Sequence, residues 1–183
     1  PCDMMALVPI SFATGEKNSL VYAPYQKVDV QIFPAFAHGL SRAWLRKVAE
    51  QALSTQRGGE PMNISLVIAD DETVHDLNQK YRGLDETTDV LAFPLWESHE
   101  DGNPSAEKFL LPAEAIIPSG EIVISYPQAV RQAKYAKKLI RSEISLLIVH
   151  GVLHLLGYDH TDHEGESNMW AKQDEILAKV PLS

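Results

Sequence analysis

The first part of the chain alternates between strand-like and helix-like patterns of apolar residues. Residues 28–33 alternate apolar and polar side chains, which predicts a half-buried strand. Ser41 can cap a helix, and apolar side chains then recur at helical spacing at Trp44, Leu45, Val48, Ala49 and Leu53. Residues 64–69 predict a second strand. We expect the two strands to be parallel and joined by a right-handed crossover.

The middle of the chain predicts a further helix and a strand at a sheet edge. Asp70 can cap the helix, and a polar turn over residues 82–88 separates it from a short strand over residues 89–93. Pro94 cannot donate a ladder hydrogen bond, so it ends this strand or confines it to the edge of the sheet.

The last part of the chain predicts one strand followed by three helices. Residues 121–125 are the strand, and Pro127 lies where the first turn of a helix over residues 127–138 tolerates proline. Ser142 can cap an apolar helix that ends near Gly157, and a more polar helix is expected over residues 163–179. These elements predict an α+β fold: a small mixed β-sheet with packed helices, one of which lines a cleft.

Length and composition indicate one domain. The 183 residues are 45% hydrophobic, which suits a single buried core. We expect residues 28–183 to form one catalytic domain and residues 1–27 to be an N-terminal extension rather than a signal peptide. The longest apolar stretch, residues 144–156, is too short to span a bilayer.

The cysteine count and the net charge exclude some kinds of metal site and some modes of nucleic-acid binding. Cys2 is the single cysteine, so neither an internal disulfide nor a thiolate-rich zinc site can form, and a reducing compartment such as the cytoplasm fits best. The net charge of -9 argues against coating nucleic acid over the whole surface. A local basic face remains compatible with binding it.

Three histidines at the end of the apolar helix form the pattern with the clearest chemical meaning. His150 and His154 are four residues apart, so both imidazoles can point from one helical face to a single ion. Gly157 can adopt the left-handed conformation that ends the helix and turns His160 back as a third ligand. Three nitrogens leave the fourth position of zinc open for a water with a pKa of roughly 7. The spacing predicts a zinc-dependent hydrolase, with unrelated histidines as the alternative.

The same spacing occurs in the metzincin proteases, in which a glutamate follows the first histidine as general base. Here that position is Gly151, which cannot accept a proton. A zinc peptidase or amidohydrolase would therefore need a base from elsewhere, such as Asp159. Asp159 and Asp85 are the acid–base candidates, and orienting a histidine beside the zinc is the alternative role of Asp159.

A basic run precedes the histidine helix, because no acidic residue occurs from position 127 to 142. Four of its cations have the spacing of one helical face: Arg131, Lys134, Lys138 and Arg141. This face could line an approach for a phosphate backbone, and a solvated charged surface is the alternative.

Three segments of the chain carry a resemblance to a known family. Residues 150–160 match the pattern His-Gly-x-x-His-Leu-x-Gly-x-Asp-His at every fixed position. Residues 81–94 read Tyr-Arg-Gly-Leu-Asp-Glu-Thr-Thr-Asp-Val-Leu-Ala-Phe-Pro, and residues 120–125 read Gly-Glu-Ile-Val-Ile-Ser. In these segments the chain resembles the YbeY endoribonucleases, also called rRNA maturation factors, over roughly residues 28–180.

The resemblance implies a zinc-dependent nuclease that cuts single-stranded RNA in ribosomal RNA maturation, at the 3′ end of the small-subunit rRNA, and in ribosome quality control. It implies one zinc ion per chain on the three histidines, and an essential arginine that matches Arg82. An arginine can donate hydrogen bonds to two phosphoryl oxygens at once. A surface salt bridge with Asp85 or Glu86 is the alternative reading of Arg82.

The resemblance implies single-stranded RNA and the ribosome or its assembly proteins as partners. It implies no association with a membrane. Two other functions stay open at this point. One is the zinc peptidase or amidohydrolase, and the other is a non-enzymatic ribosome-assembly factor in which zinc is only structural.

Overall fold

The computed structural model describes residues 27–55, 62–94, 120–158 and 163–180. The strands in these ranges are β1 (Val28–Ile32), β2 (Ile64–Ala69), β3 (Val90–Pro94) and β4 (Gly120–Ser125). The helices are α1 (Arg42–Leu53), α2 (Asp71–Arg82), α3 (Tyr126–Tyr135), α4 (Ile140–Leu155) and α5 (His163–Leu177), with a short 3₁₀ helix at Pro34–Phe36.

The strands form one mixed sheet in the order β1-β2-β4-β3. β1, β2 and β4 are parallel, whereas β3 runs antiparallel to β4 at the edge of the sheet. Pro94 is the last residue of β3, so its missing N–H lies where a sheet tolerates it. The predicted α+β fold with a small mixed sheet is confirmed, as is the parallel pairing of the first two strands.

The two faces of the sheet carry different parts of the core. On one face Ile122 and Ile124 pack into the main apolar cluster, which includes α1 and the largely buried helix α4. On the other face Val123 packs with Leu91 and with Val74 of α2. This alternation along β4 follows from the two-residue period of a strand. It places α4 and α2 on opposite sides of the strand that later supplies Glu121.

The first two helices begin where the sequence predicts. Ser41 Oγ accepts a hydrogen bond from the backbone N–H of Trp44 at 3.3 Å, and Asp70 Oδ1 accepts one from that of Thr73 at 2.9 Å. Each bond satisfies an N–H that the first helical turn leaves without a backbone partner.

The predicted boundary between the third and fourth helices is wrong. α3 ends at Tyr135 rather than at position 138, and α4 begins at Ile140, so Ser142 lies inside its first turn and does not cap it. The reason is a tight turn in which Lys137 has a φ of 54° and the N–H of Lys138 donates to the carbonyl of Ala133 at 2.9 Å. Such a turn satisfies the last carbonyls of a helix and ends it. Within the described ranges, no helix is both long and apolar enough to cross a membrane.

Candidate active-site cleft

A cleft of about 1250 Å³ is lined by residues of α2, β3, β4 and α4 and of the loops beside them. Its lining joins residues far apart in the sequence, among them Tyr81, Arg82, Phe93, Glu121, His150 and His154. Two of the predicted zinc ligands and the predicted essential arginine therefore share one cavity.

The histidines of α4 are arranged as a pair of ligands would be. The Nε2 atoms of His150 and His154 lie 3.1 Å apart, and the two rings are nearly perpendicular, with an interplanar angle of 80°. Two nitrogens bound to one tetrahedral zinc at 2.0–2.1 Å would be about 3.3 Å apart. The observed separation is close to that distance, so this part of the donor set fits zinc.

Gln173 of α5 gives His150 a partner on its other ring nitrogen. The side-chain oxygen of Gln173 lies 3.3 Å from His150 Nδ1, and Gln173 is buried. Because an amide oxygen only accepts hydrogen bonds, this contact favours the tautomer that carries its hydrogen on Nδ1 and its lone pair on Nε2. No local pattern in the sequence indicates this contact, which joins residues 23 positions apart.

The end of α4 has the geometry that the glycine predicts. Gly157 has a φ of 84°, and the N–H of Tyr158 donates to the carbonyl of Leu153 at 3.0 Å. This turn reverses the chain after the helix, as a left-handed residue at this position does. Asp159 and His160 lie outside the described residues. The described ranges contain no group of three His, Cys, Asp or Glu side chains that could hold a metal, so His160 stays the predicted third ligand.

Gly151, which stands where a metzincin has its glutamate, lies against the sheet. A Cβ atom built on Gly151 would be 2.9 Å from Cγ2 of Ile122 in β4, closer than real Cβ contacts allow. Ile122 is fully buried, so it has little room to move. The close approach of α4 to β4 therefore favours glycine here, and a carboxylate base at this position fits only if α4 or Ile122 shifts.

Arg82 is exposed at the end of α2 and lines the cleft. Among the described residues it forms no ion pair with Asp85 or Glu86, and Asp85 instead lies 3.0 Å from the Nε2 of His75. The guanidinium of Arg82 is thus available to a ligand.

Beside Arg82, Tyr81 is 59% exposed and packs edge-on against Phe93, with 5.2 Å between ring centroids. Sequence reasoning missed these two rings as site residues. Their signal was an aromatic residue directly before the candidate arginine and another at the end of β3.

Glu121 is a carboxylate that sequence reasoning also missed. It lies half-buried in β4 and lines the cleft, and burial raises the pKa of its carboxyl above the ordinary value. The available signal was a single carboxylate in the mainly apolar segment of residues 120–125. Burying a carboxylate costs free energy, so its presence in a buried strand indicates a functional role. A carboxyl with a raised pKa is better suited to exchange a proton near neutral pH.

The four basic residues singled out before the histidine helix do not share one helical face. Arg131 lies on α3, and its guanidinium donates to both carboxylate oxygens of Asp71, at 2.8 Å and 3.0 Å. This contact holds the pKa of Asp71 below its usual range. Arg141 lies on α4 over the ring of Trp44, 5.3 Å from its centroid. The prediction of one continuous face is wrong because α3 ends before Lys138, and of the four only Lys134 and Lys138 project freely.

Comparison with known proteins identifies relatives over most of the chain. Residues 34–181 match the family described as Endoribonuclease YbeY. The chain is 41% identical over 163 residues to the Endoribonuclease YbeY of Dehalococcoides mccartyi (strain 195), covering 89% of this chain and 95% of that protein. It is 39% identical over 157 residues to the protein of the same name from Roseiflexus castenholzii, covering 85% of this chain and 94% of that protein.

A solved structure has a similar fold. The solution structure of TM1509 from Thermotoga maritima superposes with a TM-score of 0.55 and 24% identity, covering 84% of this chain and 88% of that one. At this level of identity the likeness supports the fold.

Proposed function

The chain belongs to the YbeY endoribonuclease family, and on that basis we propose that it is a zinc-dependent endoribonuclease specific for single-stranded RNA. We further propose that it acts in ribosomal RNA maturation at the 3′ end of the small-subunit rRNA and in ribosome quality control, with the ribosome or its assembly proteins as partners. The single cysteine supports a cytoplasmic site of action. The observation that carries the proposal is the 3.1 Å approach of two imidazole nitrogens inside a cleft that also holds Arg82.

The residues that would hold zinc are His150, His154 and His160. When bound, zinc would supply a Lewis acid that polarises a phosphoryl oxygen of the RNA. Gln173 would orient His150 and fix its tautomer through the contact at Nδ1. The resemblance implies one zinc ion per chain.

Arg82 would bind the scissile phosphate. A guanidinium donates two parallel hydrogen bonds to phosphoryl oxygens, and it stabilises the negative charge that develops on them during cleavage. The exposed ring of Tyr81 beside it offers a surface on which an unpaired base can stack. Bases held in a duplex cannot reach such a surface, which supports a preference for single strands.

Proton transfer requires an acid–base group in the cleft. We propose Glu121 as the group that holds or accepts a proton in the cleft, because its partial burial raises its pKa. Asp159 is the second candidate, and its position beside His160 in the sequence also suits a role in orienting that ligand.

The peptidase alternative loses support from the packing of Gly151. A zinc peptidase of the metzincin type needs its base directly after the first histidine. Here that position packs against Ile122 and has no space for a side chain. The cleft therefore favours a reaction in which the base comes from another element.

The test compares two histidine variants on a labelled single-stranded RNA and on the same sequence as a duplex. His154→Ala should lower cleavage at least about 100-fold and lower the zinc content, since even outer partners of a metal site change affinity 10–100-fold. His38→Ala is the matched control, because His38 is exposed in a turn away from the cleft. It should leave both readouts unchanged.

Three results would contradict the proposal in different ways. Undiminished cutting by His154→Ala would refute the catalytic assignment of α4. Digestion of unstructured peptides with the RNA untouched would indicate the peptidase. A tightly bound zinc with four protein ligands and no cleavage would indicate a structural metal in an assembly factor.

A further inference from the structure

The turn between α3 and α4 carries an exposed aromatic ring within a group of lysines. Tyr135 is 93% exposed and Leu139 is 68% exposed, the two largest fractions among the exposed large apolar side chains of the described residues. Lys134, Lys137 and Lys138 surround them in the sequence, and all three are exposed. We call these five residues the α3–α4 patch. An aromatic ring that its own chain leaves exposed to solvent is a candidate for contact with a ligand.

The lysines of the patch are not neutralised by neighbours. Among the described residues none of the three forms an ion pair, whereas Arg131 is bound by Asp71. The segment from position 127 to 142 has no acidic residue, although the whole chain has a net charge of -9. The patch therefore concentrates positive charge on an otherwise acidic protein, which favours a polyanion as its ligand.

Lys137 adopts a backbone conformation that glycine usually takes. Its φ of 54° lies in the left-handed region, where a side chain costs free energy. Glycine would form the same turn without this cost. The strain at this position supports a functional role for the lysine side chain.

The patch is connected to the active-site cleft. A groove of about 430 Å³ between α3 and α4 is lined by Tyr135, Lys138 and Gln132. The side-chain amide of Gln132 donates to Asp89 at 3.0 Å, and Asp89 lines the cleft. This hydrogen bond joins the lining of the groove to the lining of the cleft. His150 lies ten positions after Ile140 in α4, about 15 Å along the helix axis, which is within reach of a short length of single-stranded RNA.

We propose that the α3–α4 patch binds the part of a single-stranded RNA that extends beyond the cleft, with a base stacked on Tyr135 and phosphates bound by Lys134, Lys137 and Lys138. This inference rests on the proposed ribonuclease function, because it names a second contact of the same substrate. Aromatic rings with interleaved cations are the means by which proteins bind single strands without reading their sequence.

The test measures binding and cleavage of two labelled RNAs, of about 4 and about 12 nucleotides, by the full chain. Binding is measured by fluorescence anisotropy with a chelator present, and cleavage is measured with zinc added. Tyr135→Ala should weaken binding of the long RNA about fivefold or more, as loss of one stacked base does, and leave the short RNA unchanged. Tyr135→Trp should restore it. Lys47→Ala, at an exposed position of α1, is the control for loss of a surface lysine.

Lys137→Gly separates ligand contact from folding. This variant relieves the left-handed strain, so its unfolding midpoint should equal or exceed that of the parent protein. Its affinity for the long RNA should still fall. The slope of log affinity against log salt should become shallower by about 0.7, the value for one phosphate contact on a single strand.

The outcomes distinguish this inference from the proposed function. If Tyr135→Ala and Lys137→Gly cut the short RNA and also bind the long RNA as tightly as the parent does, the inference about the patch is overturned. The proposed ribonuclease function would be unaffected by that result. If those two variants bind RNA normally but lose binding to ribosomal proteins, the surface belongs to a protein partner and the inference is overturned. Failure of the parent protein to cut either RNA would overturn the proposed function first.

Discussion

Replacing Gly151 by alanine tests whether α4 lies as close to the sheet as the structure indicates. The new methyl group would lie 2.9 Å from Cγ2 of Ile122 and 3.2 Å from its Cδ1. Both residues are buried, so the strain must be absorbed by a shift of α4 or by an unfavourable rotamer of Ile122.

The size of the effect follows from two opposing contributions. An alanine in a helix interior is about 1 kcal/mol more favourable than glycine. Overpacking a core by one methyl group costs about 1–3 kcal/mol. The free energy of unfolding should therefore fall by about 0–2 kcal/mol, which lowers the melting temperature by about 2–4 °C for each kcal/mol in a chain of this size.

The assay is chemical denaturation of four proteins: the parent, Gly151→Ala, Ile122→Ala and the double variant. Ile122→Ala alone should cost about 2–5 kcal/mol, because it leaves a cavity. In the double variant the methyl group of residue 151 fills part of that cavity. Its loss of stability should be smaller than the sum of the single losses by about 0.5–3 kcal/mol.

One result would refute the reasoning. If Gly151→Ala raised stability by about 1 kcal/mol, the helix propensity alone would decide the effect, and no steric contact with β4 would exist. Additive single and double losses would lead to the same conclusion.

Three further predictions concern charges and hydrogen bonds. Asp71→Asn should lower stability at pH 7 by about 1 kcal/mol or less, because the pair with Arg131 is partly exposed. Since that pair lowers the pKa of Asp71, its stabilisation is complete above about pH 4 and is lost as the pH falls through the lowered pKa, so in urea titrations the difference between parent and variant should shrink steadily below pH 4. Glu121→Gln should lower kcat about 10²–10⁴-fold, because it removes a proton-transfer group, yet it should raise the free energy of unfolding at neutral pH. Because the pKa of Glu121 is raised, the parent protein loses stability as the pH rises through the raised pKa, so the stability advantage of the variant should vanish below about pH 4. A variant that is less stable than the parent at pH 7 would contradict this prediction. Gln173→Leu should weaken zinc binding about 10–100-fold in a competition with a chromogenic chelator, and unchanged affinity would exclude Gln173 as the orienting partner of His150.

The parts of the fold that depend on local signals could be predicted from the sequence. Ser41 and Asp70 cap their helices because the cap and the N–H it binds are three residues apart. The position of Pro94 at a sheet edge and the left-handed Gly157 follow from the chemistry of single residues. The pairing of His150 with His154 needed only the period of a helix.

The parts that could not be predicted depend on contacts between distant residues or on exceptions to propensity. The partner of Arg131 is Asp71, 60 positions away, so the sequence could not show that this cation is already bound. α3 ends at a left-handed lysine, a residue type that gives no stop signal. Glu121 and Gln173 enter the site through strand and helix packing, which no spacing in the chain reveals.

The network around Asp71 has a consequence for Arg82 at the other end of α2. Asp71 holds the beginning of this helix to Ser125 and Arg131, and eleven residues later the helix ends with the cleft arginine. Arg82 thus lies about 17 Å along the helix axis from this network. A tilt of the helix of only about 3° around the network would carry the guanidinium about 1 Å, a displacement that can cost 10²-fold in rate. Catalysis in this protein should accordingly be sensitive to substitutions at Ser125 and Arg131, which touch neither the substrate nor the histidines.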